Sequence, residues 1–194
     1  FDNAAALYAH AFTLPGIKPV GFATHIGSQI LSTAPYHAAY ARVAELVRTV
    51  RASGLSVEAV DCGCGLGISY RNEVEGQPEA LAGAIRAELG GLGLRLSIEP
   101  GRWPIGPAGV LLSSVILRKE EGLPGPFLVL DAAMNDMVRP SMYDAWHGLV
   151  PLAPQAFSQP VAPTHVVGPV CESGDTFARD RLLPPLVRAS RIAI

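Results

Sequence analysis

Strand-like and helical stretches alternate along the first half of this chain. Apolar runs at residues 20–26, 55–60 and 94–98 are separated by stretches of helical periodicity, giving the order strand, helix, strand, helix, strand. Such connections fit parallel strands, because antiparallel neighbours can be joined by a tight turn and need no crossover helix. Each run ends beside a residue with chemistry to offer: His25, Asp61 and Glu99. These recur at nearly equal intervals, somewhat longer than the roughly 30 residues of one unit in a (β/α)8 barrel, a fold that builds its site at the C-terminal strand ends. A doubly wound open sheet gives similar spacing. The residues alone therefore predict α/β without choosing how the sheet closes.

The stretches between have clear limits. Residues 4–13 read as a helix stopped by Leu14-Pro15-Gly16. Ser32 or Thr33 can cap the next helix, with Pro35 in its first turn. There Tyr36, Ala39, Tyr40, Val43, Leu46, Val47 and Val50 form one apolar face, with Arg42, Glu45, Arg48 and Arg51 off it, and Gly54 ends the helix. Residues 78–89 predict another helix, closed by Gly90-Gly91.

After Gly106-Pro107 the pattern changes. The runs 110–117 and 127–130 are joined by a segment too short for a crossover, so they are expected to form an antiparallel hairpin. Further runs at 148–152, 165–170 and 191–194 lie between proline-rich turns. The expected organisation is an α/β domain over 1–106 and a β-rich domain over 107–194. The chain opens on a helical pattern without Met, and its last strand is expected to continue past Ile194, so a fragment is expected.

A net charge of -2 with 16% charged residues and no basic run argues against a nucleic-acid surface. No stretch reaches the roughly 18 apolar residues of a membrane span, and the N-terminus lacks the layout of a signal peptide. The expectation is a cytoplasmic protein with a small-molecule partner. The cysteines number three, two of them in a C-x-C pair, which disfavours a disulfide framework and matches poorly the C-x-x-C of a zinc site. Reduced thiols and no metal are expected.

Five segments carry candidate chemistry. Asp61-Cys62-Gly63-Cys64-Gly65-Leu66-Gly67-Ile68 follows a strand, and its glycines suit either a phosphate cradle or a tight turn. It is neither a dinucleotide fingerprint nor a P-loop, since position 68 is Ile and no Gly-Lys pair follows. His25-Ile26-Gly27-Ser28-Gln29 closes the first run. Glu99-Pro100-Gly101-Arg102 puts a carboxylate after an apolar strand, which is costly to bury without a cation; an internal ion pair with Arg102 is one solution and a ligand contact another. Arg139 and Tyr143 share a face if their segment is helical, although Pro140 biases Arg139 towards extended backbone. Cys171 and Glu172 place a thiol and a carboxylate in a loop after a strand, where a thiol can deliver a proton.

In this order the five segments resemble the fold-type III pyridoxal-phosphate decarboxylases, across nearly the whole chain. The resemblance implies the C-terminal part, with the last three strands, of a (β/α)8 barrel, followed by part of a β-sandwich-like domain. It also implies a homodimer with shared active sites. By that likeness His25 stacks on the pyridine ring of pyridoxal 5'-phosphate, Ser28, Gly63, Gly65, Gly101 and Arg102 surround the cofactor, and Glu99 meets its ring nitrogen. Arg102, Arg139 and Tyr143 hold substrate carboxylates, Glu172 meets a distal amino group, and Cys171 delivers a proton across the dimer. Gln29 and Glu172 favour decarboxylation of meso-2,6-diaminopimelate to L-lysine over the ornithine branch, which usually has Asp after the cysteine. Two departures stand out. Cys64 occupies the middle of a loop that normally has three glycines, putting a side chain where none is expected. The lysine that anchors the cofactor is not matched by Lys18 or Lys119, so this chain alone is expected to be inactive. A non-catalytic homologue or binding module, or a decarboxylase of ornithine or arginine, are the alternatives.

Overall fold

The computed structural model describes residues 3–120 and 125–194, which fall into two compact units, Phe1–Ala108 and Gly109–Ile194. In the first unit, α1 (Ala4–Ala11) leads to a parallel sheet of β1 (Gly21–Ala23), β2 (Ala59–Asp61) and β3 (Arg95–Ser97). The crossovers are α2 (Ala34–Ala52) and α3 (Pro78–Leu89). Register pairs Phe22 with Val60 and Val60 with Leu96, so the three strands end level with one another.

The face predicted for α2 is the one that is buried. Tyr36, Tyr40, Val43, Leu46, Val47 and Val50 all pack into the core with Leu81, Ile85 and Leu89 of α3. Arg51 departs from its expected place on the solvent side. Its guanidinium donates to the carbonyls of Leu92 and Val57, both at 2.6 Å. The Val57 carbonyl before β2 is therefore held by a side chain, and β2 covers Ala59–Asp61 and not the whole run 55–60. Thr33 occupies the N-cap of α2 but makes no side-chain cap bond.

The second unit follows a short helix α4 (Arg102–Ile105) and a 3-10 turn. Its strands are β4 (Leu112–Lys119), β5 (Phe127–Leu130), β6 (Val150–Pro151), β7 (Ala162–Val167), β8 (Thr176–Leu183) and β9 (Arg191–Ala193). They form one sheet in the order β6-β9-β4-β5-β7-β8. Strands β4 and β5 are antiparallel, as the short connection requires; residues 121–124 of that connection lie outside the described residues. A register shift between Val115 and Leu117 splits β4, whose first half pairs with β9 and second half with β5. Strand β8 was not legible in the sequence, because Arg179-Asp180-Arg181 interrupts its apolar pattern and Asp180 has a φ of 49°.

Asp131 closes the end of β5 onto β4. Its carboxylate accepts the Ser113 hydroxyl at 2.6 Å and the Ser114 N–H at 2.8 Å, and these bonds, the hydroxyl first, hold its pKa below the ordinary carboxylate value. A lowered folded-state pKa stabilises the fold above the unfolded value of roughly 4, and the contribution is lost as pH falls through the folded value. Ser113→Ala should therefore lower the midpoint of thermal unfolding more at pH 7 than at pH 3. An equal drop at both pH values would contradict this.

Candidate functional site

In the first unit the candidate residues cluster where the three strands end. The β1 end continues as Thr24, whose N–H donates to the Asp61 carbonyl at 2.9 Å, and then as the exposed His25. Asp61 organises the loop that follows β2. One carboxylate oxygen accepts the Gly63 N–H at 2.7 Å and the other the Ser97 hydroxyl at 2.6 Å, which ties β2 to β3. Glu99 donates its N–H to the Gly63 carbonyl at 2.7 Å, and Ile30 donates to the Gly65 carbonyl at 3.0 Å. All three strand ends therefore converge on the glycine loop.

Glycine is required at two of its positions. Gly63 has a φ of 60°, and a Cβ there would lie 2.2 Å from the Thr24 carbonyl oxygen and 3.3 Å from His25 Nδ1. Gly65 has a φ of 92°, and its Cβ would lie 2.0 Å from the Gly27 oxygen and 3.4 Å from the Cα of Ser28. Cys64 between them does not have a positive φ. Its side chain is in the hydrophobic core, and its Sγ accepts the Leu66 N–H at 3.4 Å. The expectation that Cys64 would intrude on the cradle is thus corrected. The middle position is the one where an L side chain fits, and that side chain points inward.

Arg102 does not form the internal ion pair with Glu99. Its Nη1 donates to Gln29 Oε1 at 3.0 Å, and its guanidinium lies 5.9 Å from the centre of the Tyr70 ring. Gln29 is itself pinned: its Nε2 donates to the Ile68 carbonyl at 2.5 Å and its Oε1 accepts the Ile68 N–H at 3.3 Å. It adopts a φ of 62°, an uncommon conformation for a non-glycine residue that the surroundings must enforce. Glu99 is exposed, at the end of β3. Gly101 has a φ of -103°, and a Cβ there would meet nothing within 4 Å, so its backbone sets no demand for glycine.

In the second unit, Arg139 to Tyr143 form a helical turn, α5. The extended bias of a residue before proline is overcome at Arg139, the first helical position, with Pro140 next to it where its missing N–H costs no hydrogen bond. Arg139 Nη1 is 3.2 Å from His147 Nε2, and Tyr143 is exposed. The Ser141 hydroxyl bonds to the Gly174 carbonyl, so α5 is fastened to the loop that bears Cys171 and Glu172. Both of those residues are exposed. The Gly174 N–H, followed by the Ser173 hydroxyl, holds the Glu172 carboxyl below its usual pKa. Asp175 is 2% exposed and accepts the N–H groups of Met134 at 2.7 Å and Val170 at 2.8 Å.

Residues 7–194 match the family model described as "Pyridoxal-dependent decarboxylase, C-terminal sheet domain". The chain belongs to this family. It is 40% identical over 195 residues to diaminopimelate decarboxylase of Zymomonas mobilis, covering 100% of this chain and 45% of that protein. With the diaminopimelate decarboxylase of Aquifex aeolicus it shares 37% identity over 188 residues, 96% of this chain and 44% of the other. Among solved structures, diaminopimelate decarboxylase from Helicobacter pylori complexed with L-lysine superimposes with a TM-score of 0.88 at 36% identity, over 100% of this chain and 47% of that one. The chain thus spans about half the length of the curated relatives it matches. As in these pyridoxal-dependent decarboxylases, the fold is α/β with a mixed-sheet second part.

The glycine loop fits an anionic group. Among the described residues no atom accepts the N–H of Cys64 or Gly65. Successive free N–H groups in a turn can form an anion-binding nest. The two glycines that shape the loop add no side chains of their own, and Arg102 is bonded to Gln29.

Several of these features were missed in the sequence: Gln29 as the support of Arg102, Asp175 as the anchor of two loops, and Asp61 as the organiser of the cradle. Only Asp61 carried a local signal, since Asp two residues before Gly is the pattern of an Asx turn. Among the described residues no helix is long and apolar enough to cross a membrane, and all three cysteines are free.

Proposed function

We propose that the full-length protein is a pyridoxal-phosphate-dependent decarboxylase that converts meso-2,6-diaminopimelate to L-lysine and carbon dioxide, acting in the cytoplasm as a homodimer with shared sites. The observation that carries the reading is the glycine loop, with its unclaimed N–H groups beside His25, Arg102 and Glu99. The named relatives of the chain support it.

On this reading Gly63, Gly65, Ser28 and Arg102 would surround the cofactor phosphate, Gly101 would also contact the cofactor, His25 would lie against the ring, and Glu99 would take its ring N–H. Bound there, pyridoxal phosphate supplies an electron sink for the pair left behind as carbon dioxide departs. The residues of the chain have the remaining tasks. Arg102, Arg139 and Tyr143 orient substrate carboxylates, the arginines through charge-assisted bonds of fixed geometry. Glu172, ionised because its neighbours donate to it, takes the distal ammonium group. Cys171 Sγ carries the proton delivered to the α-carbon. Lys18 precedes β1, at the strand end opposite this cluster, and Lys119 ends β4 in the second unit. We therefore assign the cofactor-anchoring lysine to a part of the protein outside these residues.

Glu172→Gln keeps the shape and removes the charge. A hydrogen bond to a charged group is stronger than one between neutral groups, so kcat/KM for diaminopimelate should fall about 10- to 100-fold. Most of the change should be in KM. Steady-state kinetics with unchanged KM would remove Glu172 from substrate binding.

A further inference from the structure

We propose that Tyr36 and Tyr40 of α2 are positioning residues that set the anion-binding face of the glycine loop by holding its carbonyl groups from the core side. The inference rests on the reading of that loop as a phosphate cradle. Tyr40 Oη donates to the Cys62 carbonyl at 3.0 Å, and Tyr36 Oη donates to the Cys64 carbonyl at 3.3 Å. In a trans peptide the C=O of one residue and the N–H of the next point in opposite directions. A Cys62 carbonyl drawn towards α2 turns the Gly63 N–H away from α2, where Asp61 Oδ1 accepts it. A Cys64 carbonyl drawn the same way turns out the Gly65 N–H, which takes no acceptor among the described residues.

The peptide between Cys64 and Gly65 needs such a tether. It can flip by a change in the ψ of Cys64 and the φ of Gly65, and glycine offers little steric resistance to that change. A flip would exchange the outward N–H for an outward carbonyl oxygen, replacing attraction for an anion by repulsion. Tyr36 biases this choice, and does so from a fixed position. Its side chain is 1% exposed, as is that of Tyr40, and the two rings stack with centroids 5.9 Å apart. Burial, with the nearby Cys64 thiol, pushes the Tyr36 hydroxyl up to about 12, and burial raises that of Tyr40 also, so both stay protonated donors at neutral pH. Beyond Gly65 the Cys64 thiol, in the same core, accepts the Leu66 N–H. Core groups therefore fix the peptides on both sides of Gly65.

The test compares Tyr36→Phe and Tyr40→Phe with wild type in the full-length protein. Equilibrium dissociation constants are measured for pyridoxal 5'-phosphate and for pyridoxal, which lacks the phosphate, alongside the midpoint of thermal unfolding. Tyr36→Phe should weaken pyridoxal 5'-phosphate about three- to tenfold, the usual worth of one hydrogen bond, and leave pyridoxal unchanged. Tyr40→Phe should have a smaller effect in the same direction, since the N–H it directs is already bonded to Asp61. A merely structural role would weaken both ligands alike or lower only the unfolding midpoint, and either result overturns the proposal. If wild type does not prefer the phosphorylated ligand, the cradle reading itself fails and the proposal falls with it. Wild-type preference retained in Tyr36→Phe removes the tyrosine role alone.

Discussion

Gly65→Ala in the full-length protein should lose pyridoxal 5'-phosphate binding by about 100-fold or more. An added Cβ would stand 2.0 Å from the Gly27 carbonyl oxygen, a contact with backbone that no rotamer relieves. The φ of 92° adds strain on the order of 1–3 kcal/mol for a residue with a side chain. The loop can accept alanine only by moving away from residues 27 and 28, which widens the cradle. At about 1.4 kcal/mol per tenfold, a cost near 3 kcal/mol borne by the bound geometry corresponds to the loss stated. Cys64→Gly provides the contrast. It removes a buried thiol and the acceptor of the Leu66 N–H, so it should destabilise the fold by about 1–3 kcal/mol yet change cofactor affinity far less. Cofactor titration and thermal unfolding of both variants check this pair of results. Equal affinity losses in the two would contradict the assignment of opposite sides to residues 64 and 65.

Asp175→Ala should have the second large effect, on the other unit. Its carboxylate is buried and holds the N–H groups of Met134 and Val170. Gly168 lies against it so closely that a Cβ there would be 2.3 Å from Oδ2. Truncation leaves two backbone donors without partners, at roughly 1–3 kcal/mol each. The loop carrying Cys171 and Glu172 then loses its attachment to the segment after β5. The expected result is a lowered unfolding midpoint and a fall of about 100-fold or more in kcat/KM, given the sensitivity of catalysis to small misplacements. Asn at this position keeps one acceptor oxygen and should recover part of both. A variant with normal stability and normal turnover would show that the carboxylate positions nothing of consequence.

The main lines of the fold were legible because they rest on burial. The face of α2 was readable from Tyr36 to Val50, since periodic apolar residues admit few arrangements against a sheet. The antiparallel pairing of β4 with β5 was readable from the length of their connection. What escaped was set by side chains bonding to distant backbone. Arg51 bonding Leu92, Gln29 bonding Ile68 and Asp175 bonding Met134 are long-range pairings that no local pattern announces. Strand β8 escaped for a different reason: Arg179 and Asp180 are both exposed where a φ of 49° at Asp180 breaks the period-two pattern. In the candidate site, the residues at the strand ends stood out by position and type. The direction of the Cys64 side chain did not, since it depends on the sign of one dihedral angle.

The decisive experiment incubates the full-length protein with pyridoxal 5'-phosphate and meso-2,6-diaminopimelate and measures carbon dioxide and L-lysine together. The two should be released in equal amounts, with little turnover of ornithine or arginine. Turnover of ornithine in preference to diaminopimelate would contradict the substrate assignment. Absence of any decarboxylation by cofactor-loaded protein would contradict the enzyme assignment.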